Sequence, residues 1–263
     1  MALRGIDVSG WQKGINLAAV SADFVICKAT QGTSFVSDDF KRQTEQVLGC
    51  GKLLGVYHYV GGSGATAEAD HFVNTVAHLV GKSILVIDWE SNQNAAWGNE
   101  SYLDAVVKRV IARTGVKPLM YASKSVFPWG IAKANDCGAW VAQYANNNQT
   151  GYQDTPWNEG AYTCAIRQYT SIGRLSGWSG NLDLNKAYMT REVWAKYAGA
   201  GSASVSGSGG SGTGVTASED TLSLVAAVMR GEYGNGDARK AALGSQYDEV
   251  QSVINRFSCY VGQ

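Results

Sequence analysis

The amino-acid sequence predicts an α/β fold, an eight-stranded barrel of TIM type whose second half has lost most of its helices, followed by a small three-helix module. Three observations predict it. Short β-like runs alternate with helical patterns through the first 198 residues, as in parallel strands joined by right-handed crossovers. Runs such as ILVI at 84–87 are continuously apolar rather than alternating, which indicates strands buried on both faces. A Gly/Ser-rich stretch at 199–217 then separates this region from a short amphipathic tail.

Taken in chain order, strands are predicted over 4–8, 24–30, 53–60, 84–90, 118–122, 139–144, 164–169 and 181–184, with helices over 38–48, 65–80 and 100–114. In the last helix Leu103, Val106, Val107, Val110 and Ile111 recur at i, i+3, i+4, i+7 and i+8 and form one apolar face. The final three strands follow one another with little helix between them. Segment 199–217 holds seven Gly and five Ser in 19 positions and no charge. It cannot bury apolar surface and shows neither period, so it reads as a flexible linker with an r.m.s. span of roughly 25 Å. A domain at 1–198 and a module at 218–263 remain. In the module Ser218 or Ser223 caps a helix carrying Leu224, Val225 and Val228, and the GEYGNG turn at 231–236 breaks it. A second helix is predicted over 237–243, and a third over 247–257 with Val250, Val253, Ile254 and Phe257.

Composition excludes several classes of function. The 263 residues carry 22 basic and 22 acidic side chains, which argues against a strongly basic nucleic-acid binder and against an acidic disordered chain. The zero is a near-cancellation: residues 1–217 hold 18 basic and 16 acidic groups, and 218–263 hold 4 and 6. Cysteines at 27, 50, 137, 164 and 259 make no CxxC or His-linked spacing. The first four read as buried small hydrophobes in a reducing compartment, and Cys259 as the most reactive thiol. No metal site is expected, and with no P-loop or GxSxG elbow, no cofactor either. The opening MALRGIDVSGW has no basic stretch leading into an apolar one, and no run approaches the roughly 18 apolar residues of a membrane span. The expectation is synthesis in a cytoplasm without a signal peptide and no membrane insertion.

The chemistry is expected at the strand ends. In ILVIDWE, Asp88 and Glu90 stand at i and i+2, so both project from one face with Cα atoms about 6.6 Å apart. Barrel enzymes place catalytic groups at this end of a strand. Two acids so close repel, and one keeps its proton toward neutrality. A raised acid beside an ionised partner is what glycosidic bond cleavage requires. Asp7 ends the first strand run and Asp183 lies in the last; closure of the barrel makes those strands neighbours. Either acid could instead serve a local turn. Tyr57 and Tyr59 share a face with His58 opposite, which reads as a packing histidine. Tyr121 ends the fifth strand, and Trp140 and Tyr144 lie on the sixth. Lys28 and Gln168 at strand ends are candidate partners for sugar hydroxyls.

RGIDVSGWQ, KATQGTSFVSDDF, GVYHYV, ILVIDWE and IRQYTS…GNLDLNKAY, in that order over about 1–198, resemble glycoside hydrolase family 25, the Chalaropsis-type muramidases. The resemblance implies a flattened, irregular β/α barrel with about five helices. It also implies retaining hydrolysis of the β-1,4 bond from N-acetylmuramic acid to N-acetylglucosamine in bacterial peptidoglycan. Carried over position by position, Glu90 is the general acid and Asp88 stabilises charge or orients the substrate's acetamido group. Asp7 and Asp183 line the same cleft, with Lys28, Tyr57, Tyr59, Tyr121, Trp140 and Gln168 as substrate contacts. The tail stretch GEYGNGDARKAAL…YDEVQSVIN resembles the type-7 cell-wall-binding repeat of phage lysins, with Tyr233, Asn235, Arg239, Tyr247 and Gln251 as wall contacts. Together they imply a modular phage endolysin, a monomer or weak oligomer made in the host cytoplasm and released with a holin's help. The alternatives are a non-catalytic peptidoglycan-binding protein and a host autolysin.

Overall fold

The structure is a computed structural model that describes residues 2–199, 240, 242–247 and 250. The chain divides into two compact units, Met1–Val205 and Ser206–Gln263. The linker at 199–217, apart from Gly199, lies outside the described residues, as do Tyr233, Asn235, Arg239, Gln251 and Cys259. In the second unit Gly244–Gln246 forms a 3-10 turn, and Leu243 and Val250 are buried. Tyr247 is half-buried, with the Lys240 ammonium 5.8 Å from its ring centre.

The first unit is a closed barrel. Its strands are β1 (Leu3–Val8), β2 (Phe24–Gln31), β4 (Leu53–Tyr59), β5 (Ser83–Asp88), β6 (Leu119–Ser123), β7 (Ala139–Ala142), β8 (Ile166–Gly173) and β9 (Leu182–Ala187). The short β3 (Phe35–Val36) pairs only with β2. Pairing of β1 with both β2 and β9 closes the ring of eight. Among the described residues five α-helices accompany it: α1 (Phe40–Gly49), α2 (Ala65–Val76), α3 (Glu100–Thr114), α4 (Trp129–Ala134) and α5 (Arg191–Tyr197).

Residue choice accounts for these elements. Helix α3 starts where the Asn99 side chain accepts the Tyr102 N–H at 3.1 Å and stops where Gly115 turns left-handed at φ 69°. Its Leu103, Val106, Val107 and Val110 are buried, on the face that the 3.6-residue period marks. On the strands, alternate residues serve two cores. Phe24, Ile26, Ile84, Val86, Leu119, Trp140 and Ile166 belong to one cluster, and Val25, Cys27, Leu54, Val56, Leu85, Ile87 and Met120 pack with the helices in another. Helix α5 belongs to the first. Trp194 packs tilted against Phe24, ring centres 4.8 Å apart, and donates its indole N–H to the Leu54 carbonyl at 3.2 Å, plugging the barrel's N-terminal mouth.

Two expectations need correction. The sheet is not wholly parallel: β9 runs antiparallel to both β8 and β1. The eight-residue connection between β8 and β9, 174–181, is too short for a crossover, which needs about a dozen residues, so the last strand returns as a hairpin. The cysteines are not uniformly buried either. Cys27 is, Cys137 and Cys164 are half-buried, and Cys50 is exposed just past the end of α1. Burial pushes the Cys137 thiol up to about 12, which leaves it a poor nucleophile. Among the described residues, no helix is long and apolar enough to cross a membrane.

Candidate active site

Strand parity sends one column of side chains from each strand into the barrel, and at the C-terminal mouth these columns end in polar groups. Asp7 lies on β1, Lys28 on β2, Tyr57 and Tyr59 on β4, Asp88 on β5, Tyr121 on β6 and Gln168 on β8. Glu90 follows β5 by two residues and keeps the parity of Asp88, because the Trp89 N–H still donates to the Tyr121 carbonyl at 2.9 Å. Asp183 reaches the same mouth from the other direction. It is near the start of β9, and the antiparallel register sets it directly opposite Asp7.

The Asp7–Asp183 pair is asymmetric. Asp7 is buried, and its Oδ2 accepts from Asn185 Nδ2 at 2.7 Å and from Gln168 Nε2 at 2.9 Å. Trp140 settles the orientation of Asn185. An indole N–H can only donate, so its 2.8 Å bond to Asn185 Oδ1 turns the amide N–H₂ toward Asp7. Tyr121 donates to Gln168 Oε1 at 2.8 Å, and the Tyr144 hydroxyl donates to the same atom. Burial pushes both carboxyls up; the two amides pull Asp7 back, whereas the charges of Asp7 and Glu90 push Asp183 higher. Asp7 is thus the partner that ionises first, and Asp183 the one that holds the proton.

Asp88 and Glu90 differ instead in exposure. Burial raises both, Glu90's charge raises Asp88 further, and the Lys28 ammonium opposes the rise in each. Asp88 is buried, and its Oδ1 has no hydrogen-bond partner among the described residues. Glu90 is half-exposed and lines an open groove of about 360 Å³ with Trp89, Trp97, Tyr121, Gln143 and Tyr144. Of the two acids, only Glu90 has a surface from which to pass a proton to a bound molecule. Asp7, Asp88 and Asp183 all respond to its charge, which places four carboxyls at one mouth.

Lys28 sits 4.7 Å above the Tyr59 ring and donates to Gln31 Oε1 at 2.7 Å. Burial lowers its ammonium while Asp88 and Glu90 hold it charged. Replacing it with Met removes the cation that opposes Glu90's rise. Glu90 then keeps its proton to higher pH, so the alkaline limb of the pH–rate profile moves upward in Lys28→Met. An unmoved or lowered limb, measured across pH 4–9, would contradict this.

Trp140 corrects a sequence expectation. It is 2% exposed, packs 4.5 Å from Tyr121 and spends its N–H on Asn185, so it props the acid network and has no free face for a sugar. Gln168, 3% exposed, likewise joins Asp7 to the tyrosines. Lys28, Tyr57, Tyr59 and Tyr121 stay at the mouth. Sequence reasoning missed Asn185, although it shares the inward parity of Asp183. It also missed Trp97, 38% exposed and stacked 5.3 Å from Trp89; nothing in the loop sequence marks it.

A buried carboxylate outside the mouth shapes the loops around it. Glu68 on α2 is fully buried. Its Oε2 accepts from the Gly61 N–H at 2.8 Å and pairs with His58 Nε2 at 3.1 Å, while Oε1 accepts from Tyr102 at 2.7 Å and from the Ser63 N–H. His58 Nδ1 lies 2.8 Å from the Thr30 hydroxyl, so this histidine is a satisfied packing residue. The loop it helps to hold bonds the one after Glu90 through Ala95 N–H to the Gly61 carbonyl at 2.9 Å. Gly62 at φ 83° lets the two backbones approach: a Cβ there would fall 2.3 Å from Ala96 N.

Such a site can donate a proton from a shielded acid and stabilise positive charge with an ionised neighbour. Among the described residues, no group of three or more His, Cys, Asp and Glu is placed to hold a metal ion. Comparison with known proteins is consistent with this chemistry. The family described as "Glycosyl hydrolases family 25" matches residues 6–178, and the "CW_7 repeat" matches 223–257. Lysozyme M1 of Streptomyces globisporus is 29% identical over 203 residues, covering 70% of this chain and 67% of that protein. The N,O-diacetylmuramidase of Chalaropsis sp is 30% identical over 157 residues, covering 53% and 73%. The crystal structure of the bacterial lysozyme from Streptomyces coelicolor superposes with a TM-score of 0.61 at 25% identity, covering 74% of this chain and 96% of that one.

Proposed function

The chain belongs to glycosyl hydrolase family 25, a glycoside hydrolase of the lysozyme kind, and from that premise we propose that it cleaves the β-1,4 bond between N-acetylmuramic acid and N-acetylglucosamine in bacterial peptidoglycan. One observation carries the reading: Glu90, alone of the paired acids on its strand, opens into the groove. In this mechanism Glu90 protonates the glycosidic oxygen as the bond to the anomeric carbon breaks. The oxocarbenium-like centre is trapped with retention by the substrate's own 2-acetamido oxygen. Asp88 Oδ1, buried with no hydrogen-bond partner among the described residues, is the atom suited to meet the acetamido N–H and polarise the amide. Water then opens the cyclic intermediate, with Glu90 recovering its proton. Asp7 and Asp183 close the far side, and Lys28, Tyr57, Tyr59 and Tyr121 contact the sugar.

The biological setting proposed is that of a phage endolysin, a monomer or weak oligomer that leaves the host cytoplasm with a holin and lyses the cell. What supports it is the pairing of a family 25 barrel with a CW_7 repeat, the modular plan of the phage lysins that the tail resembles. The proposed plan is a barrel at 1–198, a tether at 199–217 and a wall-binding module at 218–263 using Tyr233, Asn235, Arg239, Tyr247 and Gln251. Such a tether raises the barrel's effective concentration on the wall. Mass spectrometry of reducing ends released from purified peptidoglycan tests the bond specificity. Muramic acid ends are expected, and glucosamine ends would overturn it.

A further inference from the structure

We propose that the connection between β7 and β8 carries an accessory subsite for a neutral N-acetylated sugar, which extends glycan binding beyond the catalytic groove; this rests on the muramidase reading. Residues 143–165 occupy the place where a barrel of TIM type would carry a helix. They form instead a hollow of about 190 Å³ lined by Gln143, Asn146, Asn148, Gln149, Gln153 and Trp157 among others. That is below the ~300–1,000 Å³ of pockets that enclose drug-sized ligands and suits a single sugar ring.

Trp157 is the central feature. It is 53% exposed, yet its backbone is held rigidly from beneath. Arg167, fully buried on β8, donates Nη1 to the Trp157 carbonyl and Nη2 to the Asn158 carbonyl, each at 3.1 Å. The Tyr162 ring lies 4.3 Å from its guanidinium. Asn158 takes φ 60° to complete the turn. A buried arginine that fixes two successive carbonyls presents an indole face without leaving it free to collapse, and a preorganised aromatic loses little entropy on binding. An exposed indole face is what the apolar face of a pyranose stacks against.

Around that face the polar groups are amides. Gln143 Oε1 accepts from Asn158 Nδ2 at 3.1 Å, and Gln153 Nε2 donates to the Thr150 hydroxyl at 3.1 Å. Their remaining amide atoms, with Asn148 and Gln149, offer donors and acceptors to hydroxyls and an acetamido group. No side chain lining the hollow is charged, so a carboxylate-bearing peptide finds no counter-ion there, whereas a neutral sugar needs none. Continuity supplies the last observation. Gln143 lines both this hollow and the catalytic groove, so one glycan strand bound across Glu90 can run on over Trp157.

The test compares full-length parent, Trp157→Ala and the double variant Asn148→Ala/Gln149→Ala on two soluble substrates: long peptide-free glycan strands and short oligosaccharides that fill only the groove. Loss of one aromatic face is expected to raise KM on long strands by up to about tenfold, with kcat unchanged and both parameters unchanged on the short substrate. The double variant should show a smaller shift of the same kind, and thermal melting confirms folding of both. Long-strand KM values equal to the parent's in both variants, or equal losses on long and short substrates, would overturn the subsite alone. Cleavage of neither substrate by the parent would overturn the muramidase reading and the subsite with it.

Discussion

Glu90→Gln is expected to abolish turnover while leaving the protein folded and attached to its substrate. General acid catalysis by a positioned carboxyl contributes about 10²–10⁴-fold, and the amide of Gln keeps the shape of the side chain without an acidic proton. Stability should not fall. Burial raises the Glu90 carboxyl, so near neutrality its ionised form is the strained one, and a neutral isostere relieves that strain. The sign is that of any acid raised on folding: its contribution is full below the unfolded value of about 4.3 and lost as pH rises through the folded one. The prediction is therefore no clearing of a cell-wall suspension, an unchanged or slightly higher Tm, and undiminished co-sedimentation with walls. Near-full lytic activity in this variant would remove Glu90 from the mechanism.

Glu68→Ala is expected to give the largest loss of stability. Burial alone would push this carboxyl up, but His58, Tyr102 and the N–H groups of Gly61 and Ser63 together hold it down at about 2. Truncation leaves those donors unpaired in a dry site, and breaking a buried charged pair in this way costs about 3–5 kcal/mol. For a unit of this size that corresponds to a fall in Tm of roughly 10 °C. The pH dependence runs opposite to that of Glu90. A depressed acid contributes its stability above the unfolded value of about 4.3 and loses it as pH falls toward about 2, so the parent should lose stability over that window and Glu68→Ala should lose less. The variant should also lower kcat/KM, because the Gly61–Ser63 loop bonds the segment that follows Glu90 through the Ala95 N–H. A destabilisation under 1 kcal/mol, or one independent of pH between 2 and 5, would refute this account.

Both variants concern carboxylates, and the sequence separated them unequally. Asp88 and Glu90 were legible because their spacing at the end of a continuously apolar strand is a local pattern that two-residue periodicity converts into a shared face. Glu68 was not, because it lies on a helix whose polar residues read as a solvated face. Its burial depends on His58 from β4 and Tyr102 from α3, partners 10 and 34 positions away. Trp140 shows the opposite error. An aromatic at the rim of a sugar-cleaving barrel suggests a platform, but the 2.8 Å bond to Asn185 uses it as a prop. The short helices α4 and α5 had no legible amphipathic run, and only the empty barrel mouth explains why Trp194 becomes core.

The sequence by itself determined the alternation of strands and helices, the two-sided burial of the strands, and the acid pair at the end of β5, because each is encoded within one element by its period. Only the tertiary structure decided the direction of β9 and with it the site. Had that strand run parallel to β1, its rim-facing end would carry Lys186 and Ala187; running antiparallel, it sets Asp183 opposite Asp7. The tertiary structure likewise decided which acid of the Asp7–Asp183 pair keeps its proton, since the amides of Gln168 and Asn185 reach Asp7 and not Asp183. Period is a property of a segment, whereas register and solvation belong to the closed barrel.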